Sequence, residues 1–158
     1  MSTETTGLEG DLPDGKIVIV ASRYNEGICD SLVKGSVQTL KEAGYDDQSV
    51  RVVRVPGAWE LGMVTADMLD RDDVIGVVTL GCVIKGETTH DEHINRSVSE
   101  AIMRLGIETR KPIGFGLLTC NTLEQALQRS GGSVGNKGNE AAEAVLELLR
   151  LQSHYGNL

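Results

Sequence analysis

A chain of 158 residues, 40% hydrophobic and 24% charged, has the length and composition of one domain with a sizeable core. Its net charge of −8 argues against nucleic acid as the main partner, and no apolar run approaches the roughly 20 residues that span a membrane. Three cysteines without CxxC spacing (Cys29, Cys82, Cys120) read as reduced thiols of a cytoplasmic protein, not as a disulfide or zinc framework.

Residues 1–15 carry Glu4, Glu9, Asp11 and Asp14 but no Lys or Arg. They lack the basic and apolar regions of a secretory signal and read as an acidic arm, either flexible or pairing with a neighbouring subunit's sheet edge. The remainder, 16–158, reads as a single domain. Its first apolar run, 16–21 (KIVIVA), is a strand buried on both faces. A helix over 26–43 buries Ile28, Leu32, Val33, Val37 and Leu40, and Gly44 stops it. Strand 50–55 ends at Pro56-Gly57. A second helix, 58–69, turns Leu61, Val64, Thr65 and Met68 inward. Strand 74–80 breaks at Gly81, recovers at Val83 and Ile84, and turns at Gly86.

Thr89 has an N-cap position with Glu92 three residues on, the spacing of a capping box. The helix it opens packs through Ile94, Val98, Ala101, Ile102 and Leu105 and ends before Lys111-Pro112. Strand 113–119 holds Phe115 between Gly114 and Gly116. A short helix, 124–129, takes Thr122 as its cap, Gly131–Gly135 breaks the chain, and a last helix, 136–152, packs through Ala141, Ala144, Val145, Leu148 and Leu149. This alternation predicts a parallel sheet with helices on both faces and a ligand site beyond the carboxyl ends of the strands.

Those ends carry the chemistry. The amides of residues 86–90 would be free donors at the positive end of a helix, an anion cradle, and His90 would sit beside them as a proton carrier. Read singly, the loop is an ordinary turn and His90 a solvated first-turn residue. Tyr24 and Trp59 also fall at strand ends, as lids over the core or as a platform for a flat ring.

The spaced motifs Ser22-Arg-Tyr-Asn-Glu26, Val55-Pro-Gly-Ala-Trp-Glu60, Leu80-Gly-Cys-Val-Ile-Lys-Gly-Glu-Thr-Thr-His90, Phe115-Gly, Glu124-Gln125 and Gly135-Asn-Lys-Gly138 resemble those of the 6,7-dimethyl-8-ribityllumazine synthase family, in order along the chain. The resemblance implies a flavodoxin-like three-layer sandwich on a four-stranded parallel sheet. It implies rings of five subunits with active sites between neighbours, and no cofactor or metal. The implied substrates are 5-amino-6-(D-ribitylamino)uracil and 3,4-dihydroxy-2-butanone 4-phosphate. Tyr24 matches the aromatic that stacks on the pyrimidine. Ala58, Trp59 and Glu60 match the segment holding uracil and ribityl chain, and Cys82, Val83 and Ile84 the wall that reads the pyrimidine edge. Glu87 and Thr88 match the phosphate turn, His90 the proton-transfer residue. Phe115 and Arg129 match the neighbouring subunit's aromatic and phosphate-binding guanidinium, and Lys137 a lysine that balances substrate charge.

The chain departs from the common pattern at Lys85, where arginine is frequent, and at Asp91 and His93, where aromatics are usual. A carboxylate at Asp91 would favour protonated His90 and oppose the helix dipole. The uninterrupted 131–135 link resembles members that pack twelve pentamers into a shell, the alternative being single pentamers. Rival readings are an archaeal-type riboflavin synthase, a flavin-binding shell without turnover, and a flavodoxin-like electron carrier. The last would need a phosphate loop after the first strand, which Ser22-Arg-Tyr-Asn25 does not supply.

Overall fold

A computed structural model describes residues 2–158. In chain order these form β1 (Lys16–Ser22), α1 (Glu26–Glu42), β2 (Val50–Val55), a 3-10 turn (Ala58–Glu60), α2 (Leu61–Leu69), β3 (Val74–Ile84), α3 (His90–Thr109), β4 (Ile113–Cys120), α4 (Leu123–Arg129), the short strands β5 (Ser130–Gly132) and β6 (Gly135–Asn136), and α5 (Lys137–Ser153), with a final 3-10 turn at Tyr155–Asn157. The four long strands make one parallel sheet in the order β2-β1-β3-β4. Successive β1 side chains divide between the faces. Ile17, Ile19 and Ala21 pack with α1 and α5, while Val18 and Val20 pack with α2 and α3. The result is the expected three-layer, flavodoxin-like sandwich. Its core is almost wholly aliphatic.

Glycines set how closely the layers approach. A Cβ at Gly114 would collide with the Ala141 carbonyl of α5, and one at Gly138 with the Leu32 carbonyl of α1. Ser36 then donates to the Gly138 carbonyl (2.6 Å), and Asn136 donates its amide to Ser31 O (3.0 Å) while accepting from the N–H groups of Gly138 and Asn139. One side chain thus caps α5 and ties it to α1.

Several local expectations are corrected. Gly81 does not break β3, which runs on to Ile84. The residue is small because a Cβ there would lie 2.9 Å from Leu117 and 3.3 Å from Leu61, so it serves packing and not a turn. Residues 131–135 are not a plain break but the turn of the antiparallel β5–β6 hairpin. On α5 the buried set is Gly138, Ala141, Ala142, Val145, Leu146 and Leu149, leaving Ala144 and Leu148 outside. The small residues that must meet α1 and β4 decide that rotation. On α3, Ala101 is exposed and only Val98 and Ile102 are fully buried. On α1 and α2, Val37, Val64 and Met68 are only partly buried.

The acidic arm turns back along the C-terminal part of α5. Gly7 touches the Glu147 carbonyl, Glu9 O accepts from His154 Nε2 (2.9 Å), and Pro13 O accepts from the Tyr45 hydroxyl (2.8 Å).

Candidate active site

The chain leaves β1 for β2 on one side of the sheet and returns to β3 on the other, so the carboxyl ends of β1 and β3 splay apart at a topological switch point. A cavity of about 420 Å³ opens there, a fitting size for a small organic ligand. Three loops build it.

The β1–α1 loop brings Tyr24, whose ring is 73% exposed at the rim. After β2, Gly57 opens the 3-10 turn. Glu60 Oε2 accepts from the Gly57 N–H (3.0 Å), which holds Ala58, buried, and Trp59, 62% exposed, against the cavity. The end of β3 contributes Cys82, Val83 and Ile84 as an apolar wall. Gly86, Thr88, His90, Asp91 and Ile94 complete the lining from the following turn and from α3.

That turn departs from the capping box expected of Thr89 and Glu92. Thr89 has φ −85 and ψ 11, not the extended conformation of a side-chain cap, and makes no capping bond. Thr88 Oγ1 instead accepts from the His90 N–H (3.3 Å). The amide of His90 is therefore used, whereas those of Gly86, Glu87, Thr88 and Thr89 meet no acceptor among the described residues. Those four residues are exposed at the start of a twenty-residue helix, with Asp91 and Glu92 in the same first turn. Asp91 Oδ1 and Asn95 Oδ1, one turn apart on α3, are buried without a hydrogen-bond partner among the described residues.

The free thiols of Cys29, Cys82 and Cys120 are all buried, and Cys82 lines the cavity. Burial pushes Cys29 up to about 11 and Cys82 up to about 12, and raises Cys120, so all three stay neutral near pH 7. Cys82 belongs to the wall as a neutral, compact side chain, not as a nucleophile. Among the described residues no group of three or more His, Cys, Asp or Glu could hold a metal ion. Nor is any helix of the described residues long and apolar enough to cross a membrane.

The sequence profile of the 6,7-dimethyl-8-ribityllumazine synthase family matches residues 14–153. The chain is 58% identical over 147 residues to the 6,7-dimethyl-8-ribityllumazine synthase of Rhodopirellula baltica, covering 93% of this chain and 95% of that one. It is 40% identical to the Aquifex aeolicus enzyme of that name (84% and 86% covered) and 42% identical to that of Stenotrophomonas maltophilia (90% and 94% covered). The chain belongs to the 6,7-dimethyl-8-ribityllumazine synthase family. It is accordingly an enzyme, a transferase of riboflavin biosynthesis.

Of the residues singled out by resemblance to lumazine synthases, nine line one cavity: Tyr24, Ala58, Trp59, Glu60, Cys82, Val83, Ile84, Thr88 and His90. Four do not. Glu87 is exposed on the turn outside the lining. Phe115 points into a separate hollow of about 510 Å³ between α3, β4 and α5, with Met103, Ile107 and Leu148. That hollow is larger than the strand-end cavity, yet it is apolar and lacks the histidine, the carboxylates and the amide turn. Arg129 is half-buried, donating to Gln125 O (3.1 Å), and Lys137 lies 3.8 Å from Glu140. Sequence reasoning gives no separate role to Asn25, whose left-handed backbone (φ 60, ψ 53) shapes the loop carrying Tyr24. An Asn just ahead of a helix is the signal available, because Asn tolerates that conformation better than most residues.

Proposed function

We propose that this lumazine synthase family member condenses 5-amino-6-(D-ribitylamino)uracil with 3,4-dihydroxy-2-butanone 4-phosphate, giving 6,7-dimethyl-8-ribityllumazine, inorganic phosphate and two waters. The observation that carries this reading is the meeting, in one cavity, of two exposed aromatic rings, a turn of unpaired amides and His90. Tyr24 and Trp59 offer faces to a pyrimidine. The second oxygen of Glu60 remains for ribityl hydroxyls, since Oε2 already serves Gly57. The amide turn takes the phosphate through backbone donors and the Thr88 hydroxyl, while Glu87 points away.

The chemistry follows from proton traffic at His90. The 5-amino group adds to the ketone, and loss of the first water gives an imine. Removal of a proton next to the imine expels phosphate, and the resulting enol tautomerises to a ketone. The ribitylamino nitrogen closes the second ring on that ketone, and the second water leaves. Each step moves a proton near neutral pH, a task suited to an imidazole, and holding both reactants side by side supplies much of the acceleration.

Phe115, Arg129 and Lys137 stand outside the cavity of their own chain, which favours sites completed across a subunit boundary. Met103 and Ile107 are 66% and 57% exposed beside Phe115, an apolar surface suited to cover by a second copy. We infer a ring of five, in which Phe115 and Arg129 reach the neighbour's cavity, and twelve such rings as a closed shell. The test mixes purified protein with both substrates and follows lumazine absorbance and phosphate release together. Equal appearance of the two products is expected, and Arg129→Ala should raise KM for the phosphorylated substrate about 10- to 100-fold. Retained riboflavin binding with neither product would replace the enzyme reading with a binding shell.

A further inference from the structure

The Tyr24 ring is exposed, yet the backbone beneath it is fastened at four points. The Arg23 and Tyr24 amides donate to Val55 O (2.8 Å) and Pro56 O (3.1 Å). The Tyr24 carbonyl accepts from the Cys29 thiol (3.3 Å) and, more weakly, from the Ser22 hydroxyl (3.5 Å). All of these bind the loop to β1, α1 and the end of β2. Among the described residues one side chain ties it by a hydrogen bond to β3, which carries the other wall of the cavity. Pairing of β1 with β3 ends at Ala21↔Leu80. Beyond that point Asn25 Nδ2 donates to the Cys82 carbonyl (2.9 Å), bridging the gap where the two strands separate.

Asn25 can make this bond because its backbone is left-handed, at φ 60 and ψ 53. That conformation is uncommon outside glycine, and a residue held in it marks a constraint. The constraint here is directional: the turn sets Tyr24 over the strand ends while aiming the next side chain down at β3. The Asn25 carbonyl also accepts from the Cys29 N–H (3.0 Å), so α1 begins from the same residue.

We propose that Asn25 is a positioning residue for the pyrimidine slot, its amide bond to the Cys82 carbonyl fixing the spacing between the Tyr24 ring and the Cys82–Ile84 wall. The flat ring of the proposed substrate is what that spacing would select, so the inference rests on the function proposed above. Asn25 itself need not touch the ligand. Its effect falls on recognition of the pyrimidine and not on the phosphate turn, which belongs to a different loop.

The decisive variant is Asn25→Gly, which keeps the left-handed backbone at no steric cost and removes only the amide. The expected result is a rise of about tenfold in KM for the pyrimidine, the size of one hydrogen bond, with kcat and KM for the phosphorylated substrate within about twofold of the parent. Asn25→Asp, which also tolerates the backbone but sets an acceptor against the Cys82 carbonyl, should be worse than Gly. An unchanged pyrimidine KM overturns the proposal. So does a parallel rise in both KM values with a lowered melting temperature, which would mark a merely structural residue. Hydrogen exchange supplies a readout that needs no turnover: the Arg23 and Tyr24 amides should exchange faster in Asn25→Gly while those of β1 keep their protection. If the parent makes no lumazine, the function fails while exchange still decides the positioning role. Unchanged exchange at these amides overturns it.

Discussion

Helices α3 and α5 both lie along the sheet, and they are held in opposite ways. Of the seventeen residues of α5, six are buried, and glycine-lined contacts bring it against α1 and β4. Of the twenty residues of α3, only Val98 and Ile102 are buried, while Met103 and Ile107 stand in the open. One helix is finished by its own chain. The other has an apolar flank left over, and it is the one whose first residue is His90. The contrast separates two duties: the α1/α5 face secures the sheet, while α3 lends its first turn to the candidate site and leaves an apolar flank uncovered.

If that division is right, Gly138→Ala should be the most damaging single change. The added Cβ meets the Leu32 backbone, which cannot rotate away, and a loss of about 3 kcal/mol or more is expected in denaturant unfolding. Ile107→Glu should do the reverse, leaving the folded subunit intact but dispersing the assembly in sedimentation. An assembly indifferent to that charge would mean that the open flank of α3 is not an interface. Asn136→Ala removes the cap of α5 and its tie to Ser31, and should cost about 2 kcal/mol.

The thiols gauge how tightly the α1/α5 side is sealed, since Cys29, Cys82 and Cys120 all belong to its core cluster. With Cys29 pushed to about 11 and Cys82 to about 12 from an ordinary 9.0, the native state holds its protons above the unfolded range. Their contribution is therefore complete below pH 9 and declines as pH rises from 9 towards 12. Thiol alkylation at pH 7.5, read by mass spectrometry, should be slow until denaturant is added. The smallest effect is expected at Thr89→Ala, below about 0.5 kcal/mol, because Thr89 makes no capping bond; a larger loss would restore the capping box.

Much of the site was legible because strand ends follow from apolar runs, and in a parallel sheet the strand ends are where ligands go. The runs ending near Tyr24, Gly57 and Ile84 therefore point to the place where the cavity lies. What stayed hidden depends on contacts between distant residues. Gly81 reads as a breaker in its own neighbourhood, and only the nearness of Leu117 and Leu61 makes it a packing residue within a continuous strand. The face of α5 turned inward is set by Leu32 and by β4, not by the helix's own periodicity, which left Ala144 and Leu148 on the wrong side. The roles proposed for Phe115, Arg129 and Lys137 rest on resemblance alone, for nothing local to them points to a cavity lying elsewhere.

The junction of α1 with α5 bears on how the molecule comes into being on the ribosome. The Ser36–Gly138 bond joins positions 102 residues apart, and the Thr39–Asn139 bond positions 100 apart. Helix α1 is synthesised well before its covering partner, which follows about 100 residues later in the chain. Until α5 is made, the apolar stripe of α1 and one side of the nascent sheet must wait uncovered, a state that invites capture by chaperones or by other growing chains. The making of α5, and not of any earlier strand, is the step that lets this face of the subunit close.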